Sequence, residues 1–248
     1  MEHTRPDTPH VALALPAALP TLLTRTRFWV ALVVAGFGIT AAAGLTDGVL
    51  EHGDLSVFDP TVMTDISSWR GGGLTVVANV LTYWGSTPAV GLLGMVLIAW
   101  VWFEWRDRLG AVVLTGSLGV AAVLTYVVKQ LVGRPRPPAD VVLGAADSSP
   151  AFPSGHTLGT TVLLGLLAVA VLFHARSRAV KVVAVAGGVA GSVLVAASRL
   201  YLGYHWLTDV LAGLSLGILV VGATLVTIEV LRVRRPNWDP FRPVEPGS

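Results

Sequence analysis

The sequence predicts an all-α membrane protein, a six-transmembrane-helix bundle with an interfacial helical segment between spans 1 and 2. Three observations predict it. Only 13% of the 248 residues are charged, whereas a soluble domain carries about 25%. Apolar residues make up 53% of the chain. Six stretches of largely apolar sequence approach the roughly 20 residues needed to cross a bilayer, and polar connections separate them.

The elements follow in order. Residues 1–24 read as a mobile tail, because Pro6, Pro9, Pro16 and Pro20 interrupt any helix. The apolar run from Val11 to Leu19 is too short to span. It has no basic flank or clear cleavage site, so it does not read as a signal peptide. Spans are expected near 28–46, 86–104, 109–131, 156–174, 179–198 and 206–231. Residues 60–83 are mixed: Asp65, Ser67, Ser68 and Arg70 precede an apolar run from Leu74 to Leu81. This segment reads as an interfacial helix or partly buried lid, broken at Gly71-Gly72-Gly73. Residues 25–235 then form one catalytic membrane domain, and residues 236–248 a second tail.

Six spans put both termini on one side. Arg5, Arg25, Arg27, Arg106, Arg108, Arg176, Arg178, Lys181, Arg232, Arg234, Arg235 and Arg242 fall on that side, 12 of the 17 basic residues. The positive-inside bias therefore makes the termini cytoplasmic in a multi-pass protein of the cell membrane. The opposite, extracytoplasmic side holds Arg70, Lys129, Arg134, Arg136 and Arg199, together with the two long connections 47–85 and 132–155. The chain has no cysteine, which excludes disulfides and thiolate catalysis, and its net charge of +2 includes no long basic run to suggest a nucleic-acid partner.

Three segments on the outer side carry chemistry: Lys129-x6-Arg136-Pro137, Pro153-Ser154-Gly155-His156, and Ser198-Arg199-x5-His205-x3-Asp209. Cations beside a bilayer need a partner, and these have few acidic residues nearby, so an anionic ligand is expected. Lys129 suits a phosphate as a point charge, and Arg136 and Arg199 suit it as planar forks. Snorkelling to headgroups is the plainer reading of Lys129 taken alone, and it is the one adopted for Arg134. Ser154 fits a helix N-cap, and Gly155 allows close backbone approach at a helix start suited to phosphate. His156 taken alone fits a residue facing headgroups. His205 and Asp209, four apart, share a helical face, so the carboxylate can hold Nδ1–H and leave Nε2 reactive. Taken alone, the pair also fits a structural His–Asp hydrogen bond near the interface. Two histidines and an aspartate could also bind a divalent ion, but the three cations would repel it.

The ordered set resembles the signature of the type 2 phosphatidic acid phosphatase family, which shares its core with vanadium haloperoxidases, and every motif position matches. The resemblance implies hydrolysis of a lipid phosphomonoester or pyrophosphate through a phosphohistidine, with no cofactor and no metal. His205 is then the nucleophile, Asp209 its orienter and His156 the general acid and base. Lys129, Arg136, Arg199, Ser154 and Gly155 grip the phosphate, with the backbone N–H groups of Ser154 and Gly155 assisting. Phosphatidic acid, phosphatidylglycerol phosphate and undecaprenyl-type pyrophosphate all offer the same group to these residues, with membrane lipids as surroundings. A lipid phosphotransferase using the same site is the alternative, a non-catalytic transporter a remoter one. Trp84, Tyr201, Tyr204 and Trp206 are expected as aromatic-belt anchors.

Overall fold

A computed structural model describes residues 19–145 and 147–241. They form nine α-helices: α1 Leu19–Leu23, α2 Thr26–Leu50, α3 Asp59–Ser68, α4 Gly72–Trp84, α5 Thr87–Phe103, α6 Arg108–Val132, α7 Gly155–His174, α8 Arg178–Tyr201 and α9 Leu207–Arg234. No strand occurs among the described residues. Helices α2, α6, α7, α8 and α9 are each long and apolar enough to cross a membrane. Helices α4 and α5 pass that test together, bent by 51°, so they can serve as one broken span and bring the total to six.

The expected interfacial segment therefore splits. Its polar half is α3, which ends at Trp69 just before the glycine run. Its apolar half is α4, which packs along α8. The bend falls at Gly85-Ser86, where the Ser86 hydroxyl caps α5 by accepting from Ala89 N–H. A Cβ at Gly85 would lie 2.5 Å from a Val195 methyl on α8, so only glycine lets the bend lie against α8.

Helices α7 and α9 are the most enclosed, and the other spans turn broad apolar faces outward. Valines and leucines such as Val33, Val76, Val123, Leu131 and Val183 are exposed on them. In hydrocarbon these faces are solvated. Close helix approach, not apolar burial, holds such a bundle together. A Cβ at Gly222 of α9 would fall 2.5 Å from the backbone of Ala35 on α2, and one at Gly38 would strike α9 at Leu219. Gly213 and Gly217 seat α9 on Ser154, Thr157 and Thr161 of α7 in the same way. Because α9 carries Asp209 and Ser154 caps α7, this contact fixes the two halves of the outer site together.

Residues 236–241 depart from the expected free tail. The Asp107 carboxylate caps α6 at Gly110 N–H (2.8 Å) and also accepts from the Trp238 indole (2.9 Å) and the Phe241 N–H (2.8 Å). Phe241 is fully buried, and its carbonyl lies 3.0 Å from His174 Nδ1. Within the N-terminal tail, α1 places Leu22 in a buried position. The rest of both tails, 1–18 and 242–248, lies outside the described residues.

Candidate active site

All eight sequence-derived site residues come to one end of the bundle. Lys129 is in the last turns of α6, Ser154 and Gly155 open α7 with His156, Arg199 ends α8, and His205 and Asp209 flank the start of α9. Arg136 stands in the loop between α6 and α7. Arg199, His205 and Arg136 are all near enough to His156 to act on its ring electrostatically.

The His205–Asp209 pair lies at the centre. Both side chains are buried, and His205 Nδ1 is 3.4 Å from Asp209 Oδ2. On the other edge of the ring, Arg136 Nη1 lies 3.5 Å from Nε2. A guanidinium has no acceptor, so Nε2 presents its lone pair there and the proton sits on Nδ1, against the carboxylate. Burial pushes the His205 pKa down to about 4, although the Asp209 hydrogen bond and charge oppose the shift. The imidazole is therefore neutral at pH 7.

The cations are held ready by mostly neutral partners. Lys129 Nζ donates to the Pro150 carbonyl. Arg136 donates to the carbonyls of Ser149 and Tyr204, to Ser149 Oγ, and to Asp147 Oδ2 at 2.6 Å. Partial burial raises the Asp147 pKa. The Ser149 N–H bond and the Arg136 charge outweigh it and hold the carboxyl below its usual range. Buried Arg199 donates from Nη1 to Thr82 Oγ1 (2.7 Å), while its Nε has no partner among the described residues. A buried unpaired guanidinium N–H is costly unless something fills its place.

Ser154 caps α7, its hydroxyl accepting from Thr157 Oγ1 at 3.0 Å and Thr157 N–H at 3.5 Å. Its own N–H departs from the expectation of a free phosphate donor, because it bonds to the Asp209 carbonyl at 3.0 Å. The N–H groups at the first two helical positions, Gly155 and His156, lack intrahelical partners by position. Among the described residues, no group of three or more histidines, aspartates or glutamates is arranged to hold a metal ion.

The model of the PAP2 superfamily matches residues 110–232, which contain all eight of the sequence-derived site residues. The chain belongs to the PAP2 superfamily. It is 29% identical over 186 residues to phosphatidylglycerophosphatase B of Bacillus subtilis, covering 74% of this chain and 87% of that one. The crystal structure of a transmembrane PAP2 type phosphatidylglycerolphosphate phosphatase from Bacillus subtilis superposes with a TM-score of 0.66 at 27% identity, covering 78% of this chain and 93% of that chain. LpxE of Aquifex aeolicus shares the fold, with a TM-score of 0.54 at 20% identity over 68% of this chain and 94% of that one.

Around this PAP2 motif set stand residues that the sequence reading misassigned. Arg134 does not snorkel. Its Nη1 donates to Asp209 Oδ1 (2.6 Å) and Thr208 Oγ1 (2.7 Å), and its Nη2 to Asp59 Oδ2 (2.6 Å). Buried Asp59, from α3, also accepts from Thr208 N–H and Oγ1. Three of the expected aromatic anchors are instead part of the site's frame. The Arg199 guanidinium lies 4.1 Å from the Tyr204 ring centroid. Tyr201 Oη accepts from Gly71 N–H, and Trp206 Nε1 donates to the Pro135 carbonyl. Trp84 remains exposed at the end of α4. The proline-bound Arg134 was a visible signal, but its partner Asp59 is 75 residues away.

Proposed function

We propose that this membrane phosphatase hydrolyses a phosphomonoester or pyrophosphate on a lipid headgroup through a phosphohistidine, without a metal. Phosphatidylglycerol phosphate is the first substrate to test, since it is the one named for the two Bacillus subtilis proteins. The observation that carries the reading is the two-sided environment of His205: the Asp209 carboxylate on Nδ1, and the Arg136 guanidinium beside Nε2.

In the first step the Nε2 lone pair attacks phosphorus as the P–O bond to the lipid breaks. His156 gives its proton to the departing oxygen. Lys129, Arg136, Arg199 and the N–H groups of Gly155 and His156 hold the non-bridging oxygens and stabilise the added charge of the five-coordinate transition state. The unpaired Nε of Arg199 becomes a donor to one of those oxygens. In the second step His156, now neutral, takes a proton from water, the water oxygen attacks phosphorus, and the P–N bond breaks. Inorganic phosphate leaves and His205 is restored. The termini are cytoplasmic and the site lies on the extracytoplasmic side, a reading supported by the basic residues gathered at the tail end of the bundle.

Phosphate release by detergent-solubilised protein tests the proposal across phosphatidylglycerol phosphate, phosphatidic acid and a polyprenyl pyrophosphate. Turnover is expected in excess EDTA, inhibition by vanadate, and loss of several powers of ten in His205→Ala. Activity abolished by EDTA and restored by a divalent ion, or near-normal turnover in folded His205→Ala, would overturn it.

A further inference from the structure

The end of the bundle opposite the candidate active site holds a cationic cavity. Helix α7 has 20 residues, about 30 Å of rise, so its last turn is remote from Ser154. There a cavity of about 430 Å³ is lined by Arg27 of α2, Phe173 of α7, Arg176 of the α7–α8 connection, Lys181 of α8, Arg232 of α9, and Asp239. Among the described lining residues, four are cations and one is a carboxylate. Among the described residues, Arg27, Arg176 and Lys181 are in no ion pair, while Arg232 shares Glu229 with Arg25. The guanidiniums of Arg27 and Arg232 both pack on the Phe173 ring, 5.5 and 5.6 Å from its centroid. One aromatic ring therefore meets two guanidiniums from different helices. The carbonyl ends of α7 and α9 contribute roughly half an elementary negative charge each, which leaves the cavity cationic.

We propose that this cavity is a binding site for a phosphate group, separate from the active site. Arginine forks drawn together from three different segments match phosphate oxygens. Basic pockets between transmembrane helices hold anionic headgroups by the same chemistry. The phosphate belongs either to an anionic phospholipid of the adjacent leaflet or to a free anion. General attraction to an anionic surface differs in one respect. It depends on all basic residues at that end alike, including exposed Arg234 and Arg235, which lie outside the cavity.

The test is the melting temperature of the full-length protein in neutral-detergent micelles containing phosphatidylglycerol, phosphatidylcholine, or inorganic phosphate without lipid. Phosphatidylglycerol is a phosphodiester, so it offers the active site no monoester. It is expected to raise the melting temperature by roughly 5 °C relative to phosphatidylcholine. Arg27→Ala/Arg176→Ala should lose most of that rise, while Arg234→Ala/Arg235→Ala, with the same loss of charge, should keep it. If inorganic phosphate produces a rise that only the first pair loses, the bound species is the free anion. Arg176→Ala/Lys181→Ala leaves the Arg27–Phe173 contact intact and carries the same expectation should the first pair not fold. Equal losses in the cavity and non-cavity pairs, or no rise with either probe, would overturn the site.

Discussion

Arg134 and Arg136 are separated by one proline and hold different things. Arg136 spreads its three nitrogens over Asp147, Ser149, Tyr204 and the His205 edge. A lysine cannot reproduce that fork, so Arg136→Lys is expected to lose about one to two powers of ten in kcat/KM. Arg134 ties Asp209 to Asp59. Asp59→Ala would leave the buried Arg134 charge half-paired, destabilising the fold by about 3 kcal/mol and lowering kcat with KM unchanged. The Asp59→Ala/Arg134→Ala double variant should then lose less than the sum of the singles. Unchanged kcat in folded Asp59→Ala would mean that Asp209 keeps its place without this support. The imidazole itself gives a separate test. Because burial lowers the His205 pKa to about 4, ¹⁵N imidazole signals of His205 in the substrate-free protein should remain those of the neutral ring from pH 8 down to about 5. A titration midpoint near 6.5, the ordinary histidine value, would show that the ring is not buried as described.

At the scale of elements, what could be read from the sequence was local. The spans could be placed because each is a continuous apolar run, and the motif residues because each lies at a fixed spacing within or beside one helix. Residues 59–84 were harder, since an interfacial helix and half of a broken span have similar composition. The bend at Gly85 depends on Val195 of α8, 110 residues on. Arg134 was misassigned for the same reason, because its partner is on a helix far away in the chain. The C-terminal segment is a third case. Trp238 and Phe241 are aromatics in an otherwise polar stretch, but only Asp107, at the start of α6, shows what they are for. One carboxylate there serves both a helix cap and two tail contacts. Asp107→Ala should therefore cost more than the ~1 kcal/mol of a lost cap alone, about 2–3 kcal/mol with the two further hydrogen bonds. The active site is at the other end of α6, so KM and kcat should stay near normal at temperatures where the variant is folded. A melting loss no greater than that of a simple cap deletion such as Ser177→Ala, on α8, would mean that the tail contacts contribute nothing.

For the whole molecule, the two ends of the bundle both carry clustered cations. At one end Lys129, Arg136 and Arg199 surround two histidines, under loops held by Arg70, whose guanidinium reaches the carbonyls of Tyr201 and Val141. At the other end Arg27, Arg176, Lys181 and Arg232 line the cavity at Phe173. The separation of the two clusters makes the orientation testable. Ser148 is exposed in the loop beside the site, and Arg178 is exposed at the start of α8 at the opposite end. The native chain has no cysteine, so a single introduced thiol is the only one to react. Ser148→Cys should be labelled by a membrane-impermeant maleimide in intact cells, and Arg178→Cys only after the membrane is permeabilised. Both variants should retain phosphatase activity before labelling, which establishes that the labelled molecules are folded. The reverse pattern would place the histidines on the cytoplasmic side, and the lipid phosphate would then have to be presented from the inner leaflet.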